Sequence, residues 1–157
     1  MDKTQKIILT VLALVLVAVL VTVTLIMSKD FTPPPFEAAA VTGTPTVTDS
    51  SLRFGYAKVS EELSLGLCGT CVFSDGALQV YLTSPAENTA WLRIKIYDEK
   101  GKLLGESGLL RPGEYVKTVA LSSTPTGETL KIKLLSYEPD TYYSLGSAEL
   151  TVSIAFD

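Results

Sequence analysis

The sequence predicts an all-β domain, an antiparallel β-sandwich, carried behind one N-terminal transmembrane helix. Three observations predict it. Residues 7–27 read IILTVLALVLVAVLVTVTLIM, with no charge, proline or glycine. Beyond Leu52 the apolar residues recur at every second position, in runs of about five to eight residues. Turn-forming Gly, Pro, Asp and Asn separate those runs, and the stretch 52–157 has the usual size of one compact domain.

Residues 1–6 form a short polar tail. At about 1.5 Å rise per residue, a helix over 7–27 spans roughly 30 Å of hydrocarbon and satisfies its own backbone groups there. The run is longer than the roughly 7–15 residues of a secretory h-region, and it closes on Leu25, Ile26, Met27, Ser28 and Lys29 rather than on small residues. Ala38-Ala39-Ala40, the one cleavage-like triplet, lies behind Pro33-Pro34-Pro35. A retained signal-anchor is therefore expected. Lys3 and Lys6 precede the helix, whereas Lys29 follows it beside Asp30. The positive-inside rule then predicts a cell-membrane protein with a cytoplasmic N-terminus and an extracytoplasmic C-terminal domain.

Residues 28–51, rich in Pro, Thr and Ala, read as an extended stalk that lifts the domain off the bilayer, with a short helix allowed over Phe36 to Val41. The domain follows over 52–157. Its clearest strand is Ala148 to Phe156, where Ala148, Leu150, Val152, Ile154 and Phe156 face inward. Leu130, Ile132 and Leu134 alternate with Lys131 and Lys133, and the sets Leu78, Val80, Leu82 and Leu92, Ile94, Ile96 do the same. Further strands are expected over 52–58, 63–67, 103–106 and 115–121. Ser74-Asp75-Gly76, 98–101, 111–114 and 124–127 supply turns. Seven or eight short antiparallel strands with turn signals at such intervals are the pattern of an immunoglobulin-like sandwich. No internal repeat argues for a solenoid or propeller.

Composition excludes several function classes. The chain carries a formal net charge of −4 and its basic residues are dispersed, so no stripe suits a nucleic-acid backbone. It contains no histidine, which removes Ser-His and Cys-His nucleophile pairs and every His-ligated metal site. Glu138, Asp140, Asp75 and Asp98 do not form a calcium loop. Gly105-Glu106-Ser107-Gly108 lacks the spacing of a nucleophile elbow. Neither a catalytic residue nor a metal or cofactor is expected.

Three groups of residues remain. Cys68-Gly69-Thr70-Cys71 has the spacing of a redox dithiol, but a strand follows instead of the helix that would stabilise a thiolate, so a local structural disulfide is the favoured reading. Trp91, Arg93, Lys95 and Tyr97 share one parity on a strand, opposite Leu92, Ile94 and Ile96, and Tyr81 is placed beside them on a neighbouring strand. Such a strip suits a protein or a sugar ring, although Trp91 and Tyr97 equally suit packing roles. Tyr137, Tyr142 and Tyr143 lie in an acidic connection before the last strand, either a recognition loop or a structural corner.

The stretch AWLRIKIYDEKGKLLGESGLLRPGEYVKTVAL, residues 90–121, resembles the middle of fibronectin-type and CARDB-like extracellular modules: a strand, a D-x-x-G hairpin, a second strand, then "L-x-PG-E" into a third. The chain also resembles uncharacterised single-pass envelope proteins of Gram-positive bacteria, which share the anchor, the spacer and a β-rich ending around "PGEYV" and "YEP-x-TYYS-x-GS". These resemblances imply an envelope module and carry no activity. The expected function is therefore a membrane-anchored binding or scaffolding module for a protein or glycan. The alternatives are a structural subunit of a secretion, conjugation or filament assembly, and thiol-disulfide exchange through Cys68 and Cys71.

Overall fold

The computed structural model describes residues 2–27 and 31–157. Ser28, Lys29 and Asp30, which begin the expected stalk and enter the orientation argument, lie outside the described residues, as does Met1. The chain divides into two compact units, Met1–Pro33 and Pro34–Asp157.

The first unit is a helix, α1, over Lys3–Met27. It starts within the polar tail because Asp2 caps it: the Asp2 carboxylate accepts from Lys3 N at 2.6 Å, and Asp2 N donates to the Gln5 side chain at 3.1 Å. Thr10, Thr22 and Thr24 return their hydroxyls to carbonyls one turn back, at 2.9, 2.7 and 2.9 Å. Each hydroxyl is thereby hydrogen-bonded within the helix itself. The helix is long and apolar enough to cross a membrane.

The second unit is all-β. Its strands are β1 (Val41–Thr42), β2 (Phe54–Ser60), β3 (Leu63–Cys68), β4 (Thr70–Ser74), β5 (Ala77–Ser84), β6 (Trp91–Tyr97), β7 (Leu103–Glu106), β8 (Glu114–Ala120), β9 (Thr129–Tyr137) and β10 (Ser144–Phe156). They form one curled sheet whose order is β1-β8-β5-β4-β10-β9-β6-β7, with β3 held by β2 and β5. Curling makes two layers of it. One comprises β1, β8, β5, β3 and β2; the other comprises β10, β9, β6 and β7. The inward residues of both layers meet in a single core, where Leu78, Val80, Leu82, Leu92, Ile94, Ile96, Leu130 and Ile132 are fully buried. Each such side chain contributes about 1.5–3 kcal/mol of transfer free energy, which makes the period-two pattern the main driving term.

Ten strands form where seven or eight were expected. The additional ones are β1, only two residues long, and β4, too short to show a period. β4 also pairs parallel with β10, Cys71 opposite Ile154, so the sheet is not wholly antiparallel. Phe156 is corrected too: it is 55% exposed, because β10 there runs beside β4, and its ring rests edge-on against Phe73 at 6.1 Å.

The stalk is shorter than expected. The segment from Pro34 to Ser51 belongs to the β unit, and the helix allowed over Phe36 to Val41 is replaced by a bridge from Phe36 to Leu109, a turn at Ala38 and Ala39, and the start of β1. Leu109 N donates to Pro35 O and Glu37 N to Leu109 O, both at 2.9 Å, while the Glu37 carboxylate accepts from Gly108 N at 2.7 Å. Ala40 and Val47 pack on the core. A proline-rich composition fixes extended backbone, and extended backbone here finds a partner.

Gly108 provides the test. A Cβ there would lie 2.5 Å from both Glu37 N and Cα. Gly108→Ala is expected to destabilise the unit by about 1–3 kcal/mol in urea melts and to open the chain near Phe36 to limited proteolysis. Unchanged stability and protection would return residues 34–51 to a free stalk.

Candidate functional site

The outward residues of β6 stand in register with β9: Trp91 opposite Tyr137, Arg93 opposite Leu135, Lys95 opposite Lys133 and Tyr97 opposite Lys131. Only part of this strip is available to a ligand. Arg93 is corrected, since its side chain is 8% exposed and its guanidinium pairs with Glu106 at 2.5 Å. Lys95 approaches the same carboxylate at 3.7 Å. Tyr97 is half-buried and, with Lys131, Lys133 and Glu149, lines a hollow of about 210 Å³.

The tyrosine-rich connection folds onto the start of the strip. Tyr142 meets the Trp91 ring edge-on at 5.2 Å, and Phe36 meets it edge-on at 4.8 Å. The Arg111 guanidinium lies 3.6 Å from the Phe36 ring centre. Glu138 N donates to Tyr143 O and Tyr142 N to Glu138 O, which closes the loop and leaves the Tyr143 side chain 71% exposed. Trp91, Tyr137 and Tyr142 are thus brought together.

Tyr81 is not beside them. β5 pairs with β3, β4 and β8, so Tyr81 belongs to the other layer. It sits in a bulge between Gln79 and Leu82 with φ of 47°, a conformation an aromatic residue rarely adopts. Its ring packs against Phe54 at 6.4 Å, with the Lys117 ammonium 5.8 Å above it.

Cys68 and Cys71 are separate free thiols, both fully buried, in place of the expected disulfide. They flank the break at Gly69 between β3 and β4, and Cys71 Sγ lies 3.6 Å from Cys68 O. Burial, helped by the charge of Asp49, pushes the Cys68 thiol up to about 11; burial and the neighbouring Cys68 push Cys71 up to about 12. Such thiols are poor nucleophiles near neutral pH. Among the described residues no group of three or more His, Cys, Asp or Glu is placed to hold a metal.

A further concavity lies on the β1–β8–β5 layer, which no sequence motif announces. An open groove of about 680 Å³ runs between Thr42-Gly43-Thr44, Tyr56, and the 83–88 turn. Its frame is bonded throughout. Gly43 N donates to Gly113 O and Gly113 N to Ser84 O, both at 2.8 Å. The Asn88 side chain accepts from Ser64 N at 2.9 Å and donates to Ser64 O at 2.8 Å, fixing the turn to β3. Tyr56 is 55% exposed yet braced edge-on by Phe54 at 5.4 Å, both rings covering Gly66, where a Cβ would come within 2.9 Å of each. Five separate segments build this groove, so no local motif announces it; the one signal was an aromatic residue standing between the small residues Gly55 and Ala57.

Two measurements check these assignments. Glu106→Ala strands the Arg93 guanidinium, whose Nε already lacks a partner, whereas Arg93→Met removes the buried charge. The first is expected to cost about 1–2 kcal/mol and the second to be close to neutral. For the thiols, a folded pKa above the unfolded value means the native state holds the proton more tightly. Their contribution is complete below the ordinary 9.0 and is lost as pH rises toward 11 and 12. Denaturant melts are expected to weaken across that window, less steeply in Cys68→Ala/Cys71→Ala, and a thiol reagent at pH 8 should label the native protein only after unfolding. A scan of protein-family models and a search of curated proteins found no match to this chain.

Proposed function

We propose that the chain is a membrane-anchored, extracytoplasmic binding or scaffolding module of the cell envelope, acting by non-covalent recognition of a protein or glycan. The groove carries this reading. Its size falls within the range of ligand sites, and it combines one firmly braced aromatic ring with the hydroxyls of Thr42 and Thr44 on a bonded backbone frame. A preorganised ring contributes contact area with little loss of side-chain entropy, which favours recognition. Two lysines, Lys3 and Lys6, before the apolar run 7–27 against the single Lys29 after it support the cytoplasmic placement of the N-terminus. The buried, protonated thiols count against thiol-disulfide exchange.

The unit 34–157 has its own core and can be tested in isolation. Immobilised, it is offered purified wall glycan and, separately, detergent-solubilised envelope proteins. Tyr56→Ala is expected to lower retention of the bound fraction by about tenfold, and Tyr56→Phe to preserve it. Binding indifferent to Tyr56→Ala removes the groove as the site. Reduction of insulin disulfides by the purified unit would replace the binding reading with an enzymatic one.

A further inference from the structure

The last strand keeps one long edge without a neighbour. β9 pairs with β10 from Ser144 to Ser153, whereas β4 covers the other side of β10 only from Ser153 to Phe156. The Ile154 N–H donates to Glu128 O, just before β9, and the Ser153 N–H donates to Gly69 O on the opposite side. Backbone groups alternate along a strand, so Ser147, Glu149 and Thr151 turn their N–H and C=O groups the way Ser153 does. Among the described residues no strand stands there to receive them. Nor does β2 close the gap: it leaves the junction at Gly69 along β3, while β10 leaves it along β9.

The apolar rim is unfinished in the same place. Ala148 and Leu150 are half-buried, whereas Leu130, Ile132 and Leu134, which face inward from β9, are fully buried. Val59, Leu63, Leu134, Leu145 and Ala148 border a hollow of about 170 Å³, room for an aliphatic side chain, and Leu145 there is 58% exposed. A row of unpaired amides beside such a rim is satisfied by another extended chain, which bonds through its backbone and lays alternate side chains on the apolar surface. Charge says which chain. Glu149 is the only charged residue of β10, is exposed, and forms no ion pair among the described residues. A second copy pairing antiparallel over Ser147 to Thr151 would set Glu149 against its own counterpart, and like charges directly opposite destabilise a strand pair. A basic residue in that position does the reverse.

We propose that β10 is a strand acceptor: its free edge takes an extended segment of another protein, apolar at alternate positions and with a lysine or arginine set opposite Glu149. Backbone bonds form to Ser147, Glu149 and Thr151, and one apolar side chain of the segment fills the hollow beside Leu145. This site is separate from the groove bounded by Tyr56, so its failure leaves the reading of that groove untouched.

The probe is a nonapeptide in which valine alternates with threonine around a central lysine, and amide exchange is followed by NMR on the isotope-labelled full-length chain in detergent micelles. At saturating peptide the amides of Ser147, Glu149 and Thr151 are expected to exchange about tenfold or more slowly, because each gains a partner. Thr151→Pro removes an N–H that the fold itself does not use, so it should leave the melting temperature nearly unchanged and weaken the peptide by about tenfold. A second comparison does not depend on how that variant folds. The counterpart peptide with a central glutamate is expected to bind the unaltered protein about fivefold more weakly, and Glu149→Lys to reverse the order. Unchanged exchange at all three amides, or protection confined to the residues around Tyr56, overturns the proposal. Equal binding of the two peptides overturns the pairing with Glu149. Protection that is present without peptide and grows with protein concentration assigns the edge to a second copy and likewise overturns it.

Discussion

Everything in the β unit depends on how one strand passes from one layer to the other. β3 and β4 are a single extended course broken at Gly69, whose N–H donates to Arg53 O at 3.2 Å. Before the break the chain is held by β2 and β5; after it, β4 lies between β5 and β10 and bonds to both. Two sheets that would otherwise expose facing edges are thereby joined into one curled sheet. Unpaired edges are an aggregation hazard and leave backbone groups to water, so this closure protects the fold as well as shaping it. Glycine suits the break because a Cβ there would lie 3.3 Å from Arg53 O, tight against the carbonyl that receives the turn's own hydrogen bond.

The same constraint accounts for the two cysteines. Cys68 and Cys71 stand on either side of the crossing, and both are fully buried. Sulfur fits as a compact, weakly polar atom. Both thiols belong to the buried core, and burial raises them, so the C-x-x-C spacing sits in a setting that favours the protonated form. A spacing is chemical only when its setting stabilises the thiolate, and this setting does the opposite.

The alternation of Leu130, Ile132 and Leu134 with Lys131 and Lys133, and of Leu92, Ile94 and Ile96 with their neighbours, made the fold class legible, because burial on one face imposes a period of two on any strand. What was illegible shares one cause: it depends on which strands become neighbours. Tyr81 was assigned to the Trp91 strip on parity alone, and parity does not say that β5 joins β8 instead of β6. Arg93 has outward parity and yet is buried, because Glu106 of β7 is delivered to it across the hairpin. Residues 34–51 were read as stalk from composition, which reports backbone stiffness and not whether Leu109 waits to pair with it. The groove needed five segments at once, so no window of sequence contained it.

The docking of residues 34–51 extends the β unit beyond the strands that the period-two pattern announces. Phe36 packs edge-on against Trp91 and lies under the Arg111 guanidinium, so this segment takes part in the β unit itself. The aromatic cluster and the groove share their connecting segments: Pro85 to Asn88 line the groove just before Trp91, and Gly113 follows Arg111. Aromatic residues gather on the layer where the chain enters, while the hydroxyl-lined groove lies on the layer built from β1, β5 and β8.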